Sequence, residues 1–152
     1  MTPSKLREKV ISERVEWIRR MVTELNSLPV ENYDTFHSDS KNFAAAESYL
    51  RRALEALFDL GRHILSKGFG EGVPEYKQIA HELLKVGVLS KEEAETLRIL
   101  AGYRNRMVHF YNGISDQEIY EICTQELGDI EHLLEAILRW IKQHPDMIER
   151  SL

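Results

Sequence analysis

Apolar residues recur along the chain at helical spacing almost from end to end. Ile11, Val15, Ile18, Val22 and Leu25 fall alternately four and three residues apart, with Leu6, Val10, Trp17, Met21 and Leu28 in a neighbouring stripe. That spacing predicts a first amphipathic helix, ended by Pro29 and the polar stretch Glu31–Asp39. A second helix is predicted from about Ser40 to Lys67, burying Phe43, Leu50, Leu54, Leu57, Phe58, Ile64 and Leu65. Its exit, Gly68-Phe69-Gly70-Glu71-Gly72, is the most glycine-rich stretch of the chain and reads as a loop. Pro74 suits the first turn of a third, shorter helix through Tyr76, Ile79, Ala80, Leu83 and Leu84, which Gly87 can terminate.

Two capping boxes mark further helix starts. Ser90-Lys91-Glu92-Glu93 begins a fourth helix and Ser115-Asp116-Gln117-Glu118 a fifth. In each, the serine hydroxyl can accept from an exposed amide while the glutamate reaches back to the cap. The fifth helix carries Ile119, Ile122, Ile130, Leu133, Ile137 and Ile141 and stops before Pro145. Strand-like alternation of useful length and internal repeats are both missing. The expected fold is all-α, an antiparallel bundle of about five helices, with residues 1–145 as one domain and 146–152 as a short C-terminal tail. A helical bundle by itself implies no activity.

Composition narrows the setting. At 152 residues the chain can bury about two-thirds of its unfolded surface without a disulfide or metal staple. The single cysteine, Cys123, cannot form an internal disulfide and reads as a packed thiol. No apolar run approaches the roughly 20 residues of a membrane span, and the amino terminus lacks an apolar signal core. A cytoplasmic protein without membrane contact is expected. The net charge of −5 argues against non-specific coating of nucleic acid but leaves room for a local basic site. Charge distribution points to one. Thr96–Ser115 holds Arg98, Arg104, Arg106 and His109 and no acid, whereas Asp116–Leu138 holds seven acids and no Lys or Arg.

Within that basic stretch the inward positions of the fourth helix run Ala94, Leu97, Ala101, Arg104, Val108, so a guanidinium stands where leucine would be expected. Burying it unpaired costs several kcal/mol, by the order of magnitude for such groups, roughly. Arg104 therefore meets a carboxylate, for which Asp59 is the plausible partner, or an anionic ligand, or lines a solvated cleft. A structural Arg104–Asp59 bridge is the plain alternative. The stretch Arg104-Asn105-Arg106-Met107-Val108-His109-Phe110-Tyr111-Asn112-Gly113 weighs against it, with two guanidiniums, an imidazole, a phenol and two amides in succession. Arginine grips phosphate oxygens bidentately, and histidine exchanges protons near neutrality. Together they suit phosphodiester chemistry without a metal. On an ideal helix Arg104 and His109 lie roughly 140° apart. Either the helix loosens near Met107–Tyr111, or a two-fold dimer brings two copies of the segment together, and the dimer is favoured because it also supplies a second histidine.

Arg104, four residues, His109, one residue, Tyr111 resembles the Arg-x4-His-x-Tyr motif of the HepT-like toxins within the HEPN superfamily. The resemblance extends from about Phe43 to Ile141, in helix order, in the Leu-Phe-Asp-Leu-Gly segment of the second helix, and in the motif's place before the last long helix. It implies a metal-independent endoribonuclease that acts as the toxin of a toxin–antitoxin pair, as a homodimer and without a cofactor. By the same resemblance Arg104 and His109 are the catalytic pair, and Asn105 helps orient either the phosphate or those two residues. Tyr111 becomes the residue to which a minimal nucleotidyltransferase antitoxin attaches AMP. Arg106 departs from the apolar residue expected at that step and is assigned only to attraction of the RNA backbone.

Other residues carry plainer readings. His63, His81, His132 and His144 lack metal-ligand spacing. Arg51-Arg52 reads as a solvated helix face that could border the RNA cleft, and Trp17 and Trp140 as core or dimer interface. Two rival functions stand beside the ribonuclease: a non-catalytic helical subunit that binds a nucleotidyltransferase, and a simple dimerisation protein.

Overall fold

The computed structural model describes residues 2–109 and 113–149. It is a helical bundle, as expected, with α1 (Glu8–Asn26), α2 (Tyr33–His37), α3 (Ser40–His63), α4 (Tyr76–Lys85), α5 (Lys91–Val108), α6 (Asp116–Gln125) and α7 (Leu127–Gln143). The central element is α3, which touches every other α-helix of the bundle. Its stripe of Leu50, Leu54, Leu57, Phe58 and Leu60 is fully buried. At its end one π-helical turn, Ile64–Gly68, carries Ile64 and Leu65 into the core before the glycine-rich loop turns the chain at Gly70, where φ is +69°. α4 and α5 pack as a pair. Both capping boxes form: Ser90 with Glu93, and Ser115 with Glu118.

The structure departs from the expected elements in four places. The polar stretch after Pro29 is not only a loop. Asn32 caps a short helix by accepting from the Thr35 amide at 2.8 Å, and that helix drives Phe36 fully into the core. α2 is then fastened to the start of α6, where Tyr33 donates to Asp116 Oδ1 at 2.9 Å and His37 Nδ1 contacts Asp116 Oδ2. Hydrogen bonds from His37 and then Tyr33 hold the Asp116 carboxyl below its usual range.

Pro74 lies outside α4, whose N-cap is Glu75. Arg62 determines this by donating to the carbonyls of Val73 at 3.0 Å and Pro74 at 2.9 Å, which keeps both residues out of the helix. The expected fifth helix divides at Glu126 into α6 and α7. Apolar spacing continues through the break, so periodicity does not reveal it; the Tyr103 hydroxyl donates to Glu126 Oε1 at 3.1 Å at the bend. Finally, after the single turn Pro145–Met147, Ile148–Glu149 (β2) pairs in parallel with Leu6–Arg7 (β1), tying the two ends together. Among the described residues no helix is long and apolar enough to cross a membrane.

Candidate functional site

The last two turns of α5 carry the basic residues. Leu97, Leu100 and Ala101 anchor this helix in the core. Arg104 follows at the point where the inward face leaves the core and meets the start of α4. Its guanidinium carbon lies over the Tyr76 ring, 4.1 Å from the centroid, and Arg62 approaches the same ring at 5.2 Å. Phe58 packs edge-on against Tyr76 at 4.9 Å. Such a ring face attracts a cation and fixes its plane without consuming any of its donors.

Those donors are poorly used. Arg104 Nη2 reaches Glu55 Oε2 and Nη1 reaches Asn105 Oδ1, both at 3.5 Å, and the buried Nε has no partner. Contacts at this length are weak. A guanidinium with a 19%-exposed side chain ordinarily finds short, paired acceptors, whereas this one keeps donors that no short contact uses.

His109 ends α5. Its amide still donates to the Asn105 carbonyl at 3.0 Å, but its backbone is extended, with ψ at 111°. Helical geometry therefore stops at Val108, and the imidazole escapes the roughly 140° separation that a continued helix would impose. Arg104, Asn105 and His109 line one open cleft of about 350 Å³ together with Pro74, Glu75, Tyr76 and Lys77. Loosening of the helix thus suffices to bring the pair into one cleft within a single chain. No second copy is needed for that convergence.

Two supporting residues behave differently from expectation. Asp59 is not the carboxylate that contacts Arg104; Glu55, one turn earlier on α3, takes that place. Asp59 instead faces Arg62 at 3.4 Å and Arg14 at 3.8 Å. Burial lifts its carboxyl above the usual range despite both guanidiniums. Arg106 is not a free cation. It makes two hydrogen bonds to Glu118, at 2.6 and 2.9 Å, and holds that carboxyl below its usual range. Glu118 is also the capping-box residue of α6, so Arg106 braces the end of α5 against the start of α6. Tyr111 lies outside the described residues, as does Asn112 of the Asn-Gly turn.

Sequence reading placed Tyr76 on the apolar face of its helix and overlooked Glu55 and Lys77 as site residues. Tyr76 carried a usable signal, because it lies two residues after Pro74, where a helix start is expected. Burial pushes the Cys123 thiol up to about 12, in keeping with a packed and unreactive group. Among the described residues no cluster of three His, Cys, Asp or Glu could hold a metal ion.

The family described as ribonuclease HepT-like matches residues 11–137. A protein named tRNA nuclease HepT from Aphanizomenon flos-aquae (strain 2012/KM1/D3) is 29% identical over 112 residues, which is 73% of this chain and 76% of that protein. Among solved structures, a tri-AMPylated Shewanella oneidensis HEPN toxin in complex with its MNT antitoxin superimposes with a TM-score of 0.78 at 18% identity, covering 86% of this chain and 97% of the toxin. YutE, a cytosolic Bacillus subtilis protein of unknown function, gives a TM-score of 0.76 at 16% identity, covering 97% of this chain and 98% of its own. At such identities the two solved structures establish a shared fold and no more.

Proposed function

This chain belongs to the HepT-like ribonuclease family, and from that premise we propose that it is a metal-independent endoribonuclease serving as the toxin of a toxin–antitoxin pair. One observation carries the reading: Arg104, with an unpartnered Nε and two contacts at 3.5 Å, shares a cleft with the exposed imidazole of His109. The scissile phosphate of RNA binds against Arg104, where its charge replaces the distant Glu55 carboxylate. His109 takes the proton from the ribose 2′-hydroxyl or returns one to the departing 5′-oxygen. The 2′-oxygen bonds to phosphorus as the bond to the 5′-oxygen breaks, leaving a 2′,3′-cyclic phosphate and a 5′-hydroxyl. Arg104 stabilises the crowded, more negative phosphorus of the transition state, and Asn105 orients the guanidinium through its amide oxygen. Lys77, which also lines the cleft, adds positive charge for the strand.

A homodimer supplies the second imidazole for the other proton transfer. Sedimentation should then give twice the 17.7 kDa of the single chain. The partner is a minimal nucleotidyltransferase that adenylylates Tyr111, two residues from His109. A bulky anion there would exclude RNA by sterics and repulsion, and the Shewanella toxin, itself described as AMPylated and bound to an MNT antitoxin, supports the assignment. Intact mass after co-expression with such an enzyme should show added adenylate that is lost in Tyr111→Phe.

The decisive test is RNA cleavage in the presence of EDTA. His109→Ala should lower the rate by about 10²- to 10⁴-fold, the usual contribution of a general acid or base. Undiminished cutting by that variant would sink the mechanism.

A further inference from the structure

The paired arginines of α3 have different surroundings. Arg51 is held by Glu47 at 3.2 Å and Glu55 at 2.9 Å. Arg52 is exposed and forms no ion pair among the described residues. It borders a second cleft, of about 340 Å³, between α1 and α3, whose walls are Arg14, Trp17, Arg52, Glu55, Ala56 and Asp59. Trp17 is the unusual member. It stands one position from the buried Ile18, at the margin of the apolar stripe, and 37% of it is exposed. Arg20 approaches its ring at 5.9 Å. This second cleft is linked to the catalytic one through Glu55, which lines it and whose carboxylate is the group 3.5 Å from Arg104 Nη2.

We propose that this cleft is a nucleotide subsite, in which Trp17 stacks on the base flanking the scissile phosphate and Arg52 holds the next phosphate of single-stranded RNA. The proposal rests on the ribonuclease reading of the Arg104–His109 cleft. An enzyme that cuts within a strand must seat a nucleotide beside the phosphate it attacks, and Glu55 on the wall of this cleft reaches the catalytic arginine. A half-exposed indole flanked by arginines is the combination that grips single strands, because every base offers a face for stacking while the cations follow the backbone. Glu55 and Asp59 repel phosphate, so the floor of the cleft receives base and ribose, whose amino and hydroxyl groups can donate to those carboxylates. The phosphate is left to the rim, where Arg52 is unpaired.

The test uses the full chain and an oligoadenylate. Trp17→Ala should raise KM for cleavage about tenfold while kcat stays within about twofold. Arg52→Ala, at an exposed and unpaired position, should weaken binding and reduce the slope of log Kd against log salt by about one. In the His109→Ala protein, which binds without cutting, oligoadenylate should quench tryptophan fluorescence, and Trp17→Phe should remove the quenching. Unchanged KM and fluorescence in a protein that still cuts RNA would overturn the subsite and leave the ribonuclease standing. Loss of all RNA cleavage by the wild-type chain would instead remove the reading beneath it. Shielding of Trp17 that grows with protein concentration and ignores RNA would mark this face as a contact between copies of the chain, and would also overturn the proposal.

Discussion

Tyr76 shows how one side chain sets the readiness of another. Its ring lies 4.1 Å from the Arg104 guanidinium carbon and, as a π face, attracts the cation without accepting from the N–H groups along its rim. Tyr76→Leu should therefore lower kcat by about twofold to about thirtyfold, in line with a cation–π contact of roughly 0.5–2 kcal/mol. Tyr76→Phe keeps the ring and should retain near-normal turnover; equal losses in both variants would show that the hydroxyl, not the ring face, matters. A second single-residue effect concerns pH. His63 Nε2 accepts from the Arg7 amide at 3.0 Å, and burial, with nearby Lys67, Arg7 and Arg14, pushes its pKa below the usual 6.5. The unfolded chain thus takes up this proton before the folded chain does, and stability falls as pH drops through and below 6.5. The advantage in Tm of wild type over His63→Gln should shrink between about pH 7.5 and about pH 5.5. An advantage that grows on acidification would contradict the neutral-acceptor role.

At the scale of elements, the site depends on how closely α4 rides on α3. Gly61 permits the approach: a Cβ there would stand 2.9 Å from Leu83 Cδ1 and 3.2 Å from Ile79 Cγ2. Gly61→Val should overpack this contact and destabilise by about 1–3 kcal/mol, read as a lower denaturation midpoint. Because α4 also carries Tyr76, the folded fraction of the variant should cut RNA more slowly. Normal stability and turnover would mean that α4 can shift without disturbing Arg104. The Leu-Phe-Asp-Leu-Gly segment gains a physical meaning from these contacts: Phe58 supports Tyr76, Asp59 pairs with Arg62, and Gly61 admits α4.

Across the whole molecule, the ends of the chain close on each other. Leu6 is fully buried, and β2 pairs with β1 beside it. Deleting residues 146–152 should uncover Leu6 and lower Tm by several degrees, whereas an unchanged Tm would show those contacts to be dispensable. Along the chain, the all-helical class, the long central helix, both capping boxes and the basic segment from Arg104 to His109 were legible, because local spacing and caps are written in neighbouring residues, whereas about five helices were expected and seven form. The split at Glu126 and the short helix at Phe36 were not, since each depends on a partner far along the chain: Tyr103 for Glu126, and Tyr120, against which the Phe36 ring packs. The same limit applied at the site. Sequence by itself determined that a guanidinium would interrupt the inward face of α5 and that an imidazole would follow five residues later. Only tertiary structure decided that Glu55 rather than Asp59 faces Arg104, that Arg106 is taken by Glu118, and that Tyr76 holds the guanidinium. Those outcomes depend on the relative placement of different helices, and a one-turn difference along α3 selects another carboxylate without altering the apolar periodicity of any helix.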